Sequence, residues 1–494
     1  MRPRRLLCLG KLNGGERACA LLLLCAVTAI ASSAQTLTTL HSFDSTDGAN
    51  PFAGLVQAID GNFYGVTHSG GATTANDGTF FRITPSGTLT SLYSFCALTN
   101  CTDGALPYDW AGLIQVNGNF YGTTGYGGAD NRGTVFKITT KGKLTTLYNF
   151  CSETSCKDGA EPEAGLVEGT DGNLYGAATS GGAYGYGAIF KITTGGTLTT
   201  IYSFCANSDC PDGSFPAGGL IQATDGNFYG TTQGGGANKD SICDVEGCGT
   251  VFKITSSGAL TTLYSFCSKT GCTDGQGPNA GLVQGTDGDL YGTAYGGGDN
   301  GDGTIFKITT AGKWTLLYTF CPETGCADGQ VPNAGLIQAT DGNFYGTTLS
   351  GGTLGAGTIF KITSTGTLTT LHSFTGTDGE EPYAGLIQGT NGEFYGTTSG
   401  GGAHGYGVVF RLSAGLGPFV ETRPTSGKVG AAVTILGTDL TGATSVTFNG
   451  QAATFTVVSS SEITTNVPTG ATTGEVEVKT PGRTFTSNVE FRVP

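Results

Sequence analysis

Seven aspartates recur in the pattern D-G-x-x-P: Asp47, Asp103, Asp158, Asp212, Asp274, Asp328 and Asp378. One carboxylate per repeat, set around a channel mouth, would form a collar able to hold a cation or a sugar. The same pattern also suits a turn in which Asp ties its own backbone, Gly supplies a positive φ and Pro ends the loop. A residue present in every copy fits the turn at least as well as the collar. Ligand selectivity is therefore expected where the copies differ.

One such place is Tyr108-Asp109-Trp110, in a connection two residues longer than those of its cysteine-bearing siblings. An aromatic face beside a carboxylate suits a sugar ring, although Trp110 would also serve as a packing residue. A second is the 239–248 loop, which adds Asp240, Asp244 and Glu246 around two cysteines. His68 and His404 occupy equivalent loops of the first and last copies, but two histidines make a poor metal site. Neither a metal nor a cofactor is expected. The chain has four histidines in all and no G-x-S-x-G or H-E-x-x-H. Acidic pairs such as Glu380/Glu381 would suit a glycosidase only at a separation the sequence does not fix. No catalytic residue is assigned.

Three of the fifteen cysteines precede residue 35. The other twelve form six C-x4-C pairs: Cys96/Cys101, Cys151/Cys156, Cys205/Cys210, Cys243/Cys248, Cys267/Cys272 and Cys321/Cys326. An even count at one spacing reads as disulfides in an exported chain. Five pairs follow the same S-F or N-F step. The two copies without cysteine there, SFDSTDG (42–48) and SFTGTDG (373–379), are shorter by four residues. Each pair thus staples a local excursion. Zinc is the competing reading, but finger-like sites bring two close pairs together, and here the pairs are spread over different repeats.

The elements that position these residues come from one stretch, AGLIQATDGNFYGTT (334–348), which returns seven times at spacings of 50 to 62 residues. Each copy continues into a TIFKIT-like and then a TLTTLHSF-like segment. Four runs of five to eight residues, rich in Thr, Val, Ile, Phe and Tyr and bounded by Gly, Asp or Ser, read as four strands. Apolar residues on both faces of each strand imply sheets covered on both sides, as in propeller blades. A lone TLTTLHSF (36–43) opens the series and VVFRLS (408–413) ends it without a fourth strand. The expected fold is all-β: a seven-bladed β-propeller over 35–413, closed by its N-terminal strand, since closure removes exposed edges. A linker (414–418) then leads to an immunoglobulin-like β-sandwich over 419–494, suggested by alternating runs such as VTFNG and EVEVKT. In a four-stranded meander the first and third turns share one face and are short here. The second turn and the link between repeats share the other, with all the length variation and all six cysteine pairs. Binding is expected on that long-loop face. The recurring Arg82, Lys137, Lys191, Lys253, Lys307, Lys361 and Arg411 are read as structural partners.

Residues 1–34 carry five basic groups and one acidic group, then the apolar run ALLLLCAVTAIA (20–31) and Ser32-Ser33-Ala34. This reads as a signal peptide, too short for a comfortable membrane span. Without it the chain is four charges more negative than the full −14. Such acidity argues against nucleic acid and anionic membrane as partners.

The repeat resembles the choice-of-anchor tandem-repeat GloVer family, through Gly54-Leu55-Val56, Gly165-Leu166-Val167, Gly281-Leu282-Val283 and the DGN-[FL]-YG core. The resemblance implies an exported bacterial protein and no established activity; the terminal apolar tail or sorting motif expected of an anchor is not seen. Residues 419–494 resemble an IPT/TIG domain through RPTSGKVGAAVTILGTDL (423–440) and SVTFNGQAATF (445–455). The expected protein is a secreted, non-catalytic monomer binding an extracellular glycan or protein, with no membrane span. A carbohydrate-active enzyme using the same face and a purely structural surface protein are the alternatives.

Overall fold

The computed structural model describes Gln35–Pro494 apart from residues 74–75, 108–111, 239–242 and 244–246. The described chain is all-β, with nine four-stranded sheets, seven of them in the repeats. No described helix is long and apolar enough to cross a membrane. Each repeat sheet is an antiparallel meander in chain order, for example Ile337–Gln338, Phe344–Thr348, Thr358–Ile362 and Leu368–Ser373. The seventh sheet takes its fourth strand from the start of the described chain: Thr36–Ser42 pairs with Val408–Ser413, from Thr36 opposite Ser413 to Ser42 opposite Val408. The orphan strand read from the sequence therefore has its partner.

The F-Y-G-T-T strand is buried along its whole length, and its central glycine has a steric cause. A Cβ on Gly346 would lie 2.7 Å from the Phe360 ring of the next strand and 2.8 Å from Leu336. Glycine lets that ring lie flat across the strand, which a side chain would prevent. The neighbouring tyrosine crosses to the following sheet, where Tyr345 packs on Phe394 at 4.3 Å and Tyr291 on Phe344 at 3.9 Å between ring centroids. Each hydrophobic cluster of the repeats accordingly draws on two neighbouring sheets, as where Tyr64, Phe80 and Phe95 meet Phe120, Phe136 and Ile138. A single repeat cannot bury its apolar surface alone. Each such aromatic contact adds roughly 0.5–1.5 kcal/mol beyond area burial.

The same links join the seventh sheet to the first. Tyr395 packs on Phe63 at 4.0 Å, Thr397 Oγ1 donates to Ala53 O (3.2 Å), and Thr390 N donates to Gln57 Oε1 (2.9 Å). Between consecutive sheets the counterparts include Thr340 N to Gln388 Oε1 (3.0 Å) and Thr286 N to Gln338 Oε1 (2.9 Å). This is a propeller-like repeat architecture.

The C-terminal region forms two four-stranded sheets, one containing Ala432–Leu436 and Glu462–Asn466, the other Ser445–Phe448 and Val476–Thr480. They enclose a separate core of Val433, Ile435, Val446, Phe448, Ile463, Val476 and Phe485 among others. Its contacts with the repeats fall on the short first turns. Arg423 Nη2 donates to Gln57 O (2.8 Å), Ser461 Oγ to Ile59 O (2.9 Å) and Arg492 Nη1 to Thr224 O (3.0 Å), while Thr390 and Thr438 share a hydroxyl contact at 2.8 Å. The face that looks bare in the sequence thus carries the second module, a tertiary outcome that turn lengths do not encode.

Candidate functional site

The seven D-G-x-x-P aspartates each bind their own turn. Asp103 accepts from Tyr93 Oη (2.6 Å), Ala97 N (2.9 Å) and Leu98 N (3.1 Å). Asp158 and Asp274 accept likewise from Tyr148 (2.9 Å) and Tyr264 (2.6 Å), and all three are buried. Asp212 and Asp328 accept from Tyr202 (2.7 Å) and Tyr318 (2.9 Å). In the two repeats without cysteine at this position the donor is a histidine six residues upstream: His41 meets Asp47 at 2.6 Å and His372 meets Asp378 at 2.9 Å. These tyrosines and histidines stand on the fourth strand, the edge farthest from the first. Each carboxylate is therefore hydrogen-bonded to the fourth strand, and several also to their own loop. The Tyr-to-His exchange that accompanies loss of the cysteines is visible in the sequence, at YSFC against HSFD, but only the fold shows what it does.

Burial and the adjacent Asp103 carboxylate push the Tyr93 hydroxyl well above its ordinary pKa. Burial and the Asp158 contact raise Tyr148 to about 12, against a weakening hydrogen bond with Ser152. Burial opposes ionisation of Asp378, yet hydrogen bonds from Thr375 and the neighbouring His372 hold it below the ordinary carboxylate range.

On the opposite face the DGN motif builds a second local cluster. Asp341 accepts from Asn343 N (3.1 Å), Asn343 Nδ2 (2.8 Å) and Tyr345 Oη (2.9 Å). The basic residue of the third strand joins it in some repeats, with Lys253 on Asp225 at 3.0 Å and Lys307 on Asp289 at 2.7 Å. These cations also lie over tyrosine rings, Lys307 at 5.5 Å from the Tyr291 centroid. Arg411 meets Glu393 at 3.2 Å.

All six C-x4-C pairs are disulfides: Cys96–Cys101, Cys151–Cys156, Cys205–Cys210, Cys243–Cys248, Cys267–Cys272 and Cys321–Cys326. In the five that share one repeat position, both cysteines have positive φ between 45° and 64°, the tight excursion the spacing implies. The backbone carbonyl of the second cysteine in each of these pairs also reaches the next loop. Cys156 O accepts from Gly159 N (2.9 Å) within its own loop and from Gly182 N (2.9 Å) in the second turn of the next repeat. Cys210 O does the same with Gly213 N (2.9 Å) and Gly236 N (2.8 Å). Cys101, Cys272 and Cys326 repeat the pattern towards Gly128, Gly298 and Gly352. In the two cysteine-free repeats Ser45 O accepts from Gly71 N and Gly376 O from Gly402 N (both 2.8 Å), so this link belongs to the loop position and the bridges themselves are local staples. The loop backbone thus braces the adjoining second turn.

Two disulfides of the fourth repeat nevertheless come together. Cys243, Cys248, Cys267 and Cys272 present four sulfurs within 4.8 Å of one another, with Cys243 Sγ 3.8 Å from Cys267 Sγ. The dispersal that argues against zinc in the sequence does not hold for this quartet. The disulfide assignment rests on the bonded pairs themselves.

Tyr108, Asp109, Trp110, Asp240, Asp244 and Glu246 lie outside the described residues. His68 packs edge-on against Phe52 at 5.2 Å, and His404 is exposed.

Apart from Trp110, sequence reasoning passed over the residue that precedes Ala-Gly in six repeats and Gly218-Gly219 in the fourth. It is Phe52, Trp110, Glu163, Ala217, Asn279, Asn333 and Tyr383 in turn, while its flanks scarcely change. The glycines that follow lie against one another from sheet to sheet: a Cβ on Gly281 would meet Gly219 O at 2.8 Å, and one on Gly335 would meet Gly281 O at 3.1 Å. Gly54, Gly219, Gly281, Gly335 and Gly385 line a cavity of about 70 Å³ together with Asn333 and Tyr383. Residue variation inside an otherwise repeated motif was the available signal.

Such an arrangement defines an all-β, propeller-like repeat protein with an immunoglobulin-like module docked on its short-turn face. The chain belongs to the Gloeobacter/Verrucomicrobia repeat family, whose model matches residues 25–157, 97–273, 152–338 and 243–456, and it ends in an IPT/TIG domain at 420–493. No curated protein matches the sequence. Among solved structures, a fungal alcohol oxidase of the AA5 family in complex with copper is similar at 12% identity and a TM-score of 0.49, covering 92% of this chain and 98% of its own. The extracellular domain of a hybrid two-component system from B. thetaiotaomicron gives 12% and 0.49, covering 89% of this chain and 53% of its own.

Proposed function

We propose that this is an exported, non-catalytic binding protein that recognises a glycan or another protein outside the cell through its long-loop face. In this reading residues 1–34 are a signal peptide, 35–413 close into a seven-bladed β-propeller, 414–418 link, and 419–494 form the IPT/TIG module. The observation that carries it is the seat of the second module: its contacts through Arg423, Ser461 and Arg492 occupy the short first turns. That leaves the opposite face, with its longer and more varied loops, as the larger surface for a partner. Closure is supported by the Tyr395–Phe63 and Thr390–Gln57 contacts, which repeat the links between consecutive sheets. Export is supported by six disulfides, which persist in oxidising compartments. Tyr108, Asp109 and Trp110 remain the proposed anchors on the long-loop face. The seven repeated aspartates are proposed as the scaffold of that face, because their carboxylates are held by their own turns.

The test is a glycan array probed with chain 35–494, with reducing-sugar release followed in parallel. Saturable binding without sugar release is the expected result. Release of reducing ends at a catalytic rate would replace the binding reading with that of a carbohydrate-active enzyme.

A further inference from the structure

The residue preceding the paired small residues is the most varied position of an otherwise uniform motif, and two of its occupants, Asn333 and Tyr383, line the glycine-walled cavity. Asn333 lines that cavity, and Asn279 Nδ2 donates to Asn333 Oδ1 at 3.2 Å. Both side chains are more than nine-tenths buried, at 7% and 6% exposure. This single bond leaves Asn279 Oδ1 and Asn333 Nδ2 buried with no hydrogen-bond partner. The adjacent carbonyls Ala280 O and Ala334 O accept from Thr231 (2.9 Å) and Thr293 (3.0 Å), and neither meets the Asn333 amide. An unmatched acceptor and an unmatched donor, side by side and out of bulk water, are costly unless a ligand or water meets them.

The cavity also has one aromatic lining residue. Tyr383 lines it, and Phe52 meets Tyr383 edge-on at 4.9 Å where the seventh and first repeats touch. Its volume of about 70 Å³ exceeds the roughly 10–15 Å³ that one water needs. It admits the hydroxyl-bearing edge of a small ring rather than a whole oligosaccharide. The walls are mostly glycine and alanine, so a ligand would contact backbone closely.

We propose that this cavity is a binding site for the edge of one ring of a neutral saccharide, held by the Asn279–Asn333 amide pair. A hydroxyl is at once a donor and an acceptor. Two neighbouring hydroxyls therefore supply a donor to Asn279 Oδ1 and an acceptor to Asn333 Nδ2, a match that an anion or a cation cannot make at both atoms. The Tyr383 ring offers a surface for the apolar face of the sugar. The proposal rests on the binding reading above and names the ligand class and the residues that take it.

The experiment titrates chain 35–494 with glucose, galactose, mannose, N-acetylglucosamine and their β-1,4-linked disaccharides, by calorimetry and by saturation-transfer NMR. At least one sugar is expected to bind. Asn279→Leu/Asn333→Leu should weaken it at least tenfold. Asn279→Ser/Asn333→Ser, which keeps polar atoms at both positions, is the second pair should the leucine variant not fold, and it should weaken binding by a smaller factor at an unchanged Tm. Sugar binding undiminished in a folded Asn pair variant overturns the cavity site while leaving the general binding function in place. Failure of every sugar in the panel to bind overturns the saccharide assignment, assigns the amide pair to bound water and leaves protein recognition by the long-loop face as the surviving function.

Discussion

Thr390 N donates to Gln57 Oε1 at 2.9 Å across 333 residues of chain. The bond repeats the geometry by which Thr340 meets Gln388 and Thr286 meets Gln338, so the last and first sheets meet as sequential neighbours do. Deleting residues 36–43 should remove the fourth strand of the last sheet and bare the edge of Val408–Ser413. We expect earlier melting and soluble aggregates, read by differential scanning fluorimetry and size-exclusion chromatography. Unchanged melting and a monodisperse peak would falsify the role assigned to that strand.

The Tyr264 hydroxyl, 2.6 Å from a fully buried Asp274, is one of four donors to that carboxylate. Tyr264→Phe should cost about 1–3 kcal/mol, the range for leaving a buried acceptor one partner short. Urea denaturation of the variant measures it. A loss under about 0.3 kcal/mol, well below that range, would mean the carboxylate is adequately served by its turn alone.

Stability should fall at both pH extremes, through different groups. Asp171, Asp225, Asp287 and Asp378 have folded pKa values below the ordinary 3.8, despite burial, because of hydrogen bonds and nearby cations. Their contribution is present above pH 3.8 and is lost as pH falls through the lower folded values. Tyr148 and Tyr291, raised to about 12 chiefly by burial, contribute fully below pH 10 and lose that contribution as pH rises through 12. Melting temperature against pH, with the tyrosinate absorbance, follows both limbs. A folded protein whose tyrosines titrate together near their ordinary pKa contradicts the second.

Mass spectrometry under non-reducing conditions should find six local bridges and no free thiol in the exported protein. Each short loop should contribute about 2 kcal/mol on the chain-entropy model. The Cys243–Cys248 and Cys267–Cys272 pairs are the critical ones, because their sulfurs lie side by side. Cross-links between these two pairs, or stoichiometric zinc, would show that the quartet is not two separate staples.

Trp110→Ala should weaken any ligand of the long-loop face by about 1 kcal/mol or more if the indole is an anchor. The comparison is made at matched stability, since a packing tryptophan would lose binding by unfolding. On the other face, Asp341→Ala deprives Tyr345 Oη and Asn343 of their acceptor and should lower Tm while leaving affinity unchanged. Affinity lost in a folded Asp341→Ala and kept in a folded Trp110→Ala would reverse the assignment of faces.

The sequence by itself determined the strands, their count per repeat, the missing partner of residues 36–43 and the local cysteine pairs. All of these follow from short-range patterning: alternating burial, turn glycines and a fixed C-x4-C spacing. The family resemblance lay in the same recurring core. Tertiary structure alone decided which way a shared side chain or carbonyl faces. Asp103 could have looked to the axis or to its own turn, and the pairing of strands put Tyr93 beside it. The reach of Cys156 O to Gly182 and of Cys210 O to Gly236 spans two loops that no spacing rule connects. Asn279 and Asn333, 54 residues apart, become an amide pair only when neighbouring sheets pack. Arg423 reaches Gln57 only because the second module docks on the first turns. Repetition fixes what each unit does within itself, whereas contacts between units depend on the rotation from one sheet to the next, which no single copy of the motif records.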